Sequence, residues 1–163
     1  MPKQNGGEAT LDVITAGSDL EQVVEIAGSL GITGFGGIEF SSITMDGIAD
    51  LAVRTRFPTG RKLTRSDVTV ETDIIIQQGQ FSGLPIVGNA SKADLVGRFS
   101  NSSTELSGTA ILFGTPIDFV VTEDRLQDKL VFRANAPKAE GLAALLASAT
   151  DLDMKGSLGG NIM

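Results

Sequence analysis

The 163-residue chain contains no histidine, cysteine, tryptophan or tyrosine. Without cysteine there is no disulfide framework, thiol nucleophile, zinc finger or iron-sulfur cluster, and without histidine the commonest general base and metal ligand is missing. Any catalysis would fall to carboxylates, Lys, Ser or Thr. Positive charge is scarce as well: 13 Lys and Arg stand against 20 Asp and Glu, a net charge of -7 that opposes binding to nucleic acid. No window reaches the 18 or so apolar residues that span a bilayer, and the opening Met1-Pro2-Lys3-Gln4-Asn5-Gly6-Gly7 has no apolar core of a secretion signal. Cysteine usage leaves the compartment open, and the chain is read as soluble and as a piece of a longer protein.

What the chain has in excess is glycine, 20 of 163 residues or about 12 per cent against a usual share of roughly 7 per cent. It also has alternation. From about residue 38 to 134, apolar and polar residues trade places with the period of two that marks half-buried strands. Leu51, Val53 and Phe57 share one side and Asp50, Arg54 and Arg56 the other, with Pro58 as the stop. Val68, Val70, Ile74 and Ile76 repeat the pattern, after which Gln77-Gln78-Gly79-Gln80 reads as a turn and Phe81 to Val87 as a short strand. Leu95 and Phe99 follow, then a polar turn at Asn101-Ser102-Ser103. Leu106 and Leu112 lead to a turn at Gly114-Thr115-Pro116. Ile117, Phe119 and Val121 precede a turn at Glu123-Asp124-Arg125, and Leu130 and Phe132 close the series. About seven strands joined by short turns pair most simply as an antiparallel meander.

Two short amphipathic helices flank this region. Ser18-Asp19-Leu20-Glu21 fits a capping box with Ser18 as the cap, ahead of a stripe of Leu20, Val23, Val24, Ala27 and Leu30 and a stop at Gly31. Pro137 opens the second, with Ala139, Leu142, Ala143 and Leu146 in line. A shift of 119 residues aligns Leu11 with Leu130 and Val23 with Leu142, the signature of a weak strand-helix-sheet repeat. The expected organisation is a flexible segment 1–8, a β segment with its helices over 9–150, and the start of a further, truncated strand over 151–163.

Polar clusters read mostly as solvated faces. Arg54, Arg56, Arg61, Lys62 and Arg65 gather around one hairpin and would suit anionic headgroups, but a wet face and turn is the simpler reading. Asp46, Asp50, Asp67, Glu71 and Asp73 fall on polar sides of strands and are expected in water rather than in catalysis or cation binding. Gly31-Ile32-Thr33-Gly34-Phe35-Gly36-Gly37 follows a helix instead of opening one and lacks the Lys-Ser/Thr ending, so it fails as a phosphate loop. No enzyme, cofactor or metal is implied.

The apolar face is the feature that asks for an explanation. About sixteen large side chains at roughly 1.5 to 3 kcal/mol each would forfeit on the order of 25 to 50 kcal/mol if left in water, more than the typical net stability of about 5 to 15 kcal/mol. The two helices are too small to cover it. The sheet folded on itself, a partner subunit or an acyl chain supplies the remainder.

Gly47-Ile48-Ala49-Asp50-Leu51-Ala52-Val53, Lys92-Ala93-Asp94-Leu95-Val96-Gly97 and the run from Glu105 through Gly108-Thr109-Ala110-Ile111-Leu112-Phe113-Gly114-Thr115-Pro116, followed by Ile117-Asp118-Phe119-Val120-Val121, resemble the AsmA-like proteins of the Gram-negative envelope, in particular the YhdP-type central region. The resemblance covers most of residues 9 to 160. It implies a mainly β fold, an antiparallel meander curved into a taco-like groove, in a periplasmic protein anchored to the inner membrane. Phospholipid acyl chains would lie along the groove on their way between inner and outer membranes, and the membrane would be reached through an anchor outside this sequence. The residues it implies for lipid are Leu51, Val53, Phe57, Val68, Val70, Ile74, Ile76, Leu95, Phe99, Leu106, Leu112, Ile117, Phe119, Val121, Leu130 and Phe132. Further partners would be the rest of a longer chain, or another subunit, along the sheet edges. The alternative is a structural or adhesion-type β-sandwich module that packs on itself or on a copy and holds no ligand.

Overall fold

Alternation over most of the chain produces one sheet. The computed structural model describes residues 6–35, 38–60, 62–85 and 87–136. Within them β1 (Glu8–Asp19), β4 (Thr44–Pro58), β5 (Thr69–Leu84), β6 (Gly88–Ser100), β7 (Ser103–Leu112), β8 (Thr115–Asp124) and β9 (Lys129–Asn135) form a seven-stranded sheet in that spatial order. Every neighbouring pair is antiparallel. β1 and β9 do not pair with each other, so the sheet is open. Two-residue strands β2 (Gly34–Phe35) and β3 (Ile38–Glu39) make a separate small hairpin. The second helix expected from Pro137 and the strand expected after residue 151 lie outside the described residues.

The seven strands are not the seven read from the sequence. Gln77 to Gln80 is no turn: β5 continues through it to Leu84, joining two expected strands into one of 16 residues. The turn comes later, at Pro85 and Val87, and β1 makes up the number as an edge strand. Thr115 and Pro116 already belong to β8, and Glu123 and Asp124 still do.

What interrupts β5 is a bulge, one of a set. β1 spends three residues against two of β4 between Thr15 and Ser18, β5 does the same against β6 between Ile76 and Gly79, and β6 against β7 between Ser91 and Asp94. The extra residues Gly17, Gln78 and Lys92 all have left-handed φ, at 62°, 54° and 49°. An inserted residue bends its strand and increases local twist. These bulges all sit toward the same end of the sheet, so that end is where it bends. Two are held by an aspartate from the next strand: Gly17 N–H donates to Asp50 Oδ1 at 2.6 Å, and Gln78 N–H to Asp94 Oδ1 at 2.9 Å.

The helix α1 (Leu20–Ser29) follows β1 directly. Its cap is Asp19, whose carboxylate accepts from Glu21 N–H at 3.0 Å, in place of the Ser18 expected from the capping-box spacing. The β1 ladder runs on to Asp19, opposite Ile48, so the helix starts at Leu20 and the cap falls to the last strand residue instead of Ser18. The end matches expectation: Gly31 takes φ 88°, its N–H donates to Gly28 O at 3.0 Å, and Ile32 N–H donates to Ala27 O at 2.9 Å. That pair of bonds is a Schellman stop, which needs a residue at ease with positive φ. Leu20, Val23 and Ala27 are buried against the core, with Val24 and Leu30 partly buried beside them.

Candidate functional site: one apolar face across seven strands

Cross-strand register decides which side chains share a face. Val13 lies opposite Val53, Leu51 opposite Ile74, Ile76 opposite Leu95, and Leu106 opposite Val121, which in turn faces Phe132. Followed strand by strand, fifteen of the sixteen apolar residues named from the sequence fall on this one side, and Val68 lies just before β5, after a short 3-10 turn and outside the ladder. Nine of them are buried: Leu51, Val53, Ile74, Ile76, Leu95, Phe99, Leu112, Ile117 and Val121. Phe57, Val68, Val70, Leu106, Phe119, Leu130 and Phe132 are half-buried. Burial is deepest over β4, β5 and β6. It relaxes at the ends of β4 and β5 that carry Phe57 and Val70, and toward β9, where Phe119 and Phe132 stack with ring centroids 6.1 Å apart.

The same face includes small and polar residues outside the sixteen. Ala49, Ala90, Ala93 and Ala110 are buried in it, and so are Thr72 and Thr104, at 2% and 1% exposure. Thr104 Oγ1 is bonded to Arg125 Nη2 at 2.6 Å, whereas Thr72 Oγ1 has no partner. The signal for the two threonines in the sequence was parity alone: each lies two residues from a named apolar neighbour. Glycines make room for large side chains. A Cβ at Gly97 would stand 2.7 Å from Ile74 Cγ2 and 2.9 Å from the Phe99 ring, and one at Gly79 would meet Ile76 and Phe81 at 2.9 Å. At Gly108 a Cβ would collide with the carbonyl oxygen of Asp94 on β6.

The opposite face is a charge ladder. Arg54 Nε donates to Asp12 Oδ1 at 2.9 Å and Arg98 Nε to Asp73 Oδ1 at 2.9 Å, while Arg56 Nη2 lies 3.5 Å from Glu71 Oε2. The hydrogen bond from Arg54 holds the Asp12 carboxyl below its ordinary 3.8, helped by the fields of Arg54 and Arg56 and opposed by desolvation. Arg54 and Arg98 are in turn held more firmly charged by their carboxylates. The basic cluster around the β4–β5 hairpin is thus divided. Arg54 and Arg56 belong to the ladder, Lys62 and Arg65 are exposed in the loop, and Arg61 lies outside the described residues. The acidic set is dispersed too: Asp50 holds a bulge, Asp67 accepts from Thr64, Glu71 and Asp73 pair with arginines, and Asp46 is exposed. Among the described residues no three carboxylates come together as a metal site. Nor is any described helix long and apolar enough to cross a membrane.

Two cavities among the described residues lie largely off the apolar face, the first reaching it at Met45 and the second at Thr104 and Glu123. One of about 1010 Å³ lies between α1 and residues 39–45, lined in part by Glu21, Val24, Glu25, Phe40 and Met45. The other, of about 400 Å³, lies against Arg98, Glu105, Thr122 and Arg133 on β6 to β9. Neither includes any of the sixteen residues named from the sequence. Compared with known families, curated proteins and solved structures, the chain matches none.

Proposed function

We propose that this chain is a segment of an AsmA-like envelope protein whose apolar sheet face holds phospholipid acyl chains. The observation that carries the reading is the extent of that face: fifteen of the sixteen side chains expected from alternation lie on one side of an open sheet, interrupted only near the end of β8, where Glu123 lies opposite Thr104 and Leu130 and pairs with Arg125 at 3.2 Å. A hydrocarbon tail needs no ligating group, only apolar contacts in series. The half-buried strip of Leu106, Phe119, Leu130 and Phe132 is where a tail gains most, since burial of apolar area contributes about 25 cal/mol per Å² and the fully buried residues have little left to cover. The headgroup would stay at the wet margin, so selectivity among headgroups is weak. On this reading the protein is not an enzyme, it works in the periplasm as part of a chain anchored in the inner membrane, and it helps lipid pass between the two membranes.

Nine residues already buried without any ligand favour the second reading, a structural or adhesion-type β-sandwich module that packs on itself or on a partner and holds no ligand. One experiment separates the two. The purified 163-residue protein is extracted with organic solvent for lipid analysis, then irradiated with a photoactivatable phospholipid carrying its reactive group on the acyl chain. The lipid reading expects co-purified phospholipid and crosslinks at Phe119, Leu130 and Phe132 that Phe132→Glu reduces several-fold. No bound lipid, and crosslinks scattered or absent in a folded protein, would overturn it in favour of the structural module.

A further inference from the structure

The edge strand β1 is protected at one end only, by the bulge at Gly17, and from Glu8 to Thr15 its ladder runs without interruption. The strand is 12 residues long, contains neither Pro nor Lys, and carries two large apolar residues in water, Leu11 at 55% and Ile14 at 76% exposure. Natural sheets guard such edges with cations, prolines or short strands, because a row of unpaired N–H and C=O groups invites another strand. Among the described residues, nothing pairs with the outer side of β1 or of β9.

The charges say which strand would fit. β1 carries Glu8, Asp12 and Asp19 and no cation, whereas β9 carries Lys129 and Arg133 and no acid. Register places Asp12 opposite Arg54 and Arg133 opposite Val120, so both sets stand on the polar face of the sheet. We propose that the β1 edge receives the β9 edge of a second copy of this chain, head to tail. With seven strands alternating in direction, the first and last point the same way, so the junction is a parallel pair with the apolar faces on the same side. A two-fold junction would set β1 against β1 or β9 against β9, and like charges directly opposite each other are destabilising. Unlike a two-fold dimer, a heterologous contact leaves a free β1 and a free β9 at its ends, so it does not stop at two. The proposal is independent of whether lipid lies on the apolar face.

Sedimentation velocity of the 163-residue protein tests it. At low salt, mass should grow with concentration past the dimer, and the growth should shrink at high salt as charge is screened. Lys129→Glu with Arg133→Glu, both exposed positions, should leave a folded monomer by circular dichroism. Added in small amounts to wild type, this variant still offers its β1 edge to a growing end and then blocks it, so the mean chain length should fall. Ile14→Lys should do the same from the other end. Wild type that stays monomeric at low salt, or that stops at a dimer, overturns the proposal.

Discussion

At the scale of single residues, two groups on opposite faces illustrate opposite electrostatic costs. Thr72 lies between Val53 on β4 and Phe99 on β6, buried, with a hydroxyl that bonds to nothing. Leaving a buried donor unpaired costs about 1 to 3 kcal/mol, and valine has the same branched shape without the hydroxyl. Thr72→Val is therefore expected to stabilise the protein, by about 1 kcal/mol in urea denaturation with an unchanged m-value. A loss of stability would mean that the hydroxyl is satisfied in solution. Asp12, on the polar face, gains from its partner. Because folding lowers its carboxyl pKa, its stabilising contribution is present above the ordinary value of 3.8 and lost as pH falls through the depressed value. Carboxyl NMR should place its midpoint below 3.8, rising toward that value in Arg54→Met. The pair is exposed, so added salt should shrink the difference.

At the scale of elements, the bulges account for how the sheet is shaped. Asp50 and Asp94 each follow an alanine and precede a leucine, in the runs Ala49-Asp50-Leu51 and Ala93-Asp94-Leu95. Both carboxylates accept a bulge N–H from the strand before. Asp94→Ala should leave Gln78 N–H without its partner, cost about 1 kcal/mol and speed amide exchange around Gln78 while β7 and β8 keep their protection. Uniform loss of protection across the sheet would show that the bulge is not a local device. The same element shows where sequence reasoning stops. The tetrad Gln77-Gln78-Gly79-Gln80 has the composition of a turn, and what makes it a bulge is a carboxylate 16 residues away on the next strand. One clue was available: inward residues are even-numbered through Ile76 and odd-numbered from Gly79 to Phe81, and a phase slip of one residue within a continuing strand is what a bulge produces. Ser18 was misjudged for a related reason. Its spacing suited a cap, but β1 pairs with β4 as far as Asp19, opposite Ile48, which puts the helix start at Leu20, and local spacing does not encode that pairing.

For the whole molecule, alternation was enough to give an antiparallel, mainly β sheet and most of the large apolar residues of its buried face, because period two maps directly onto the two sides of a sheet. The two threonines between them, and the glycines that admit Phe99 and Phe81, were hidden because their role depends on who stands opposite. Every sheet connection links strands adjacent in the chain except the one from β1 to β4, which carries α1 and the small hairpin. No strand crosses over another to reach its place. A wall built in this order can be lengthened or shortened by one hairpin at an edge without re-threading any strand already laid. Reach and stability are therefore separable: mutation can adjust the span of such a protein in steps of two strands, about 10 Å each time, while the chemistry along its length stays the same.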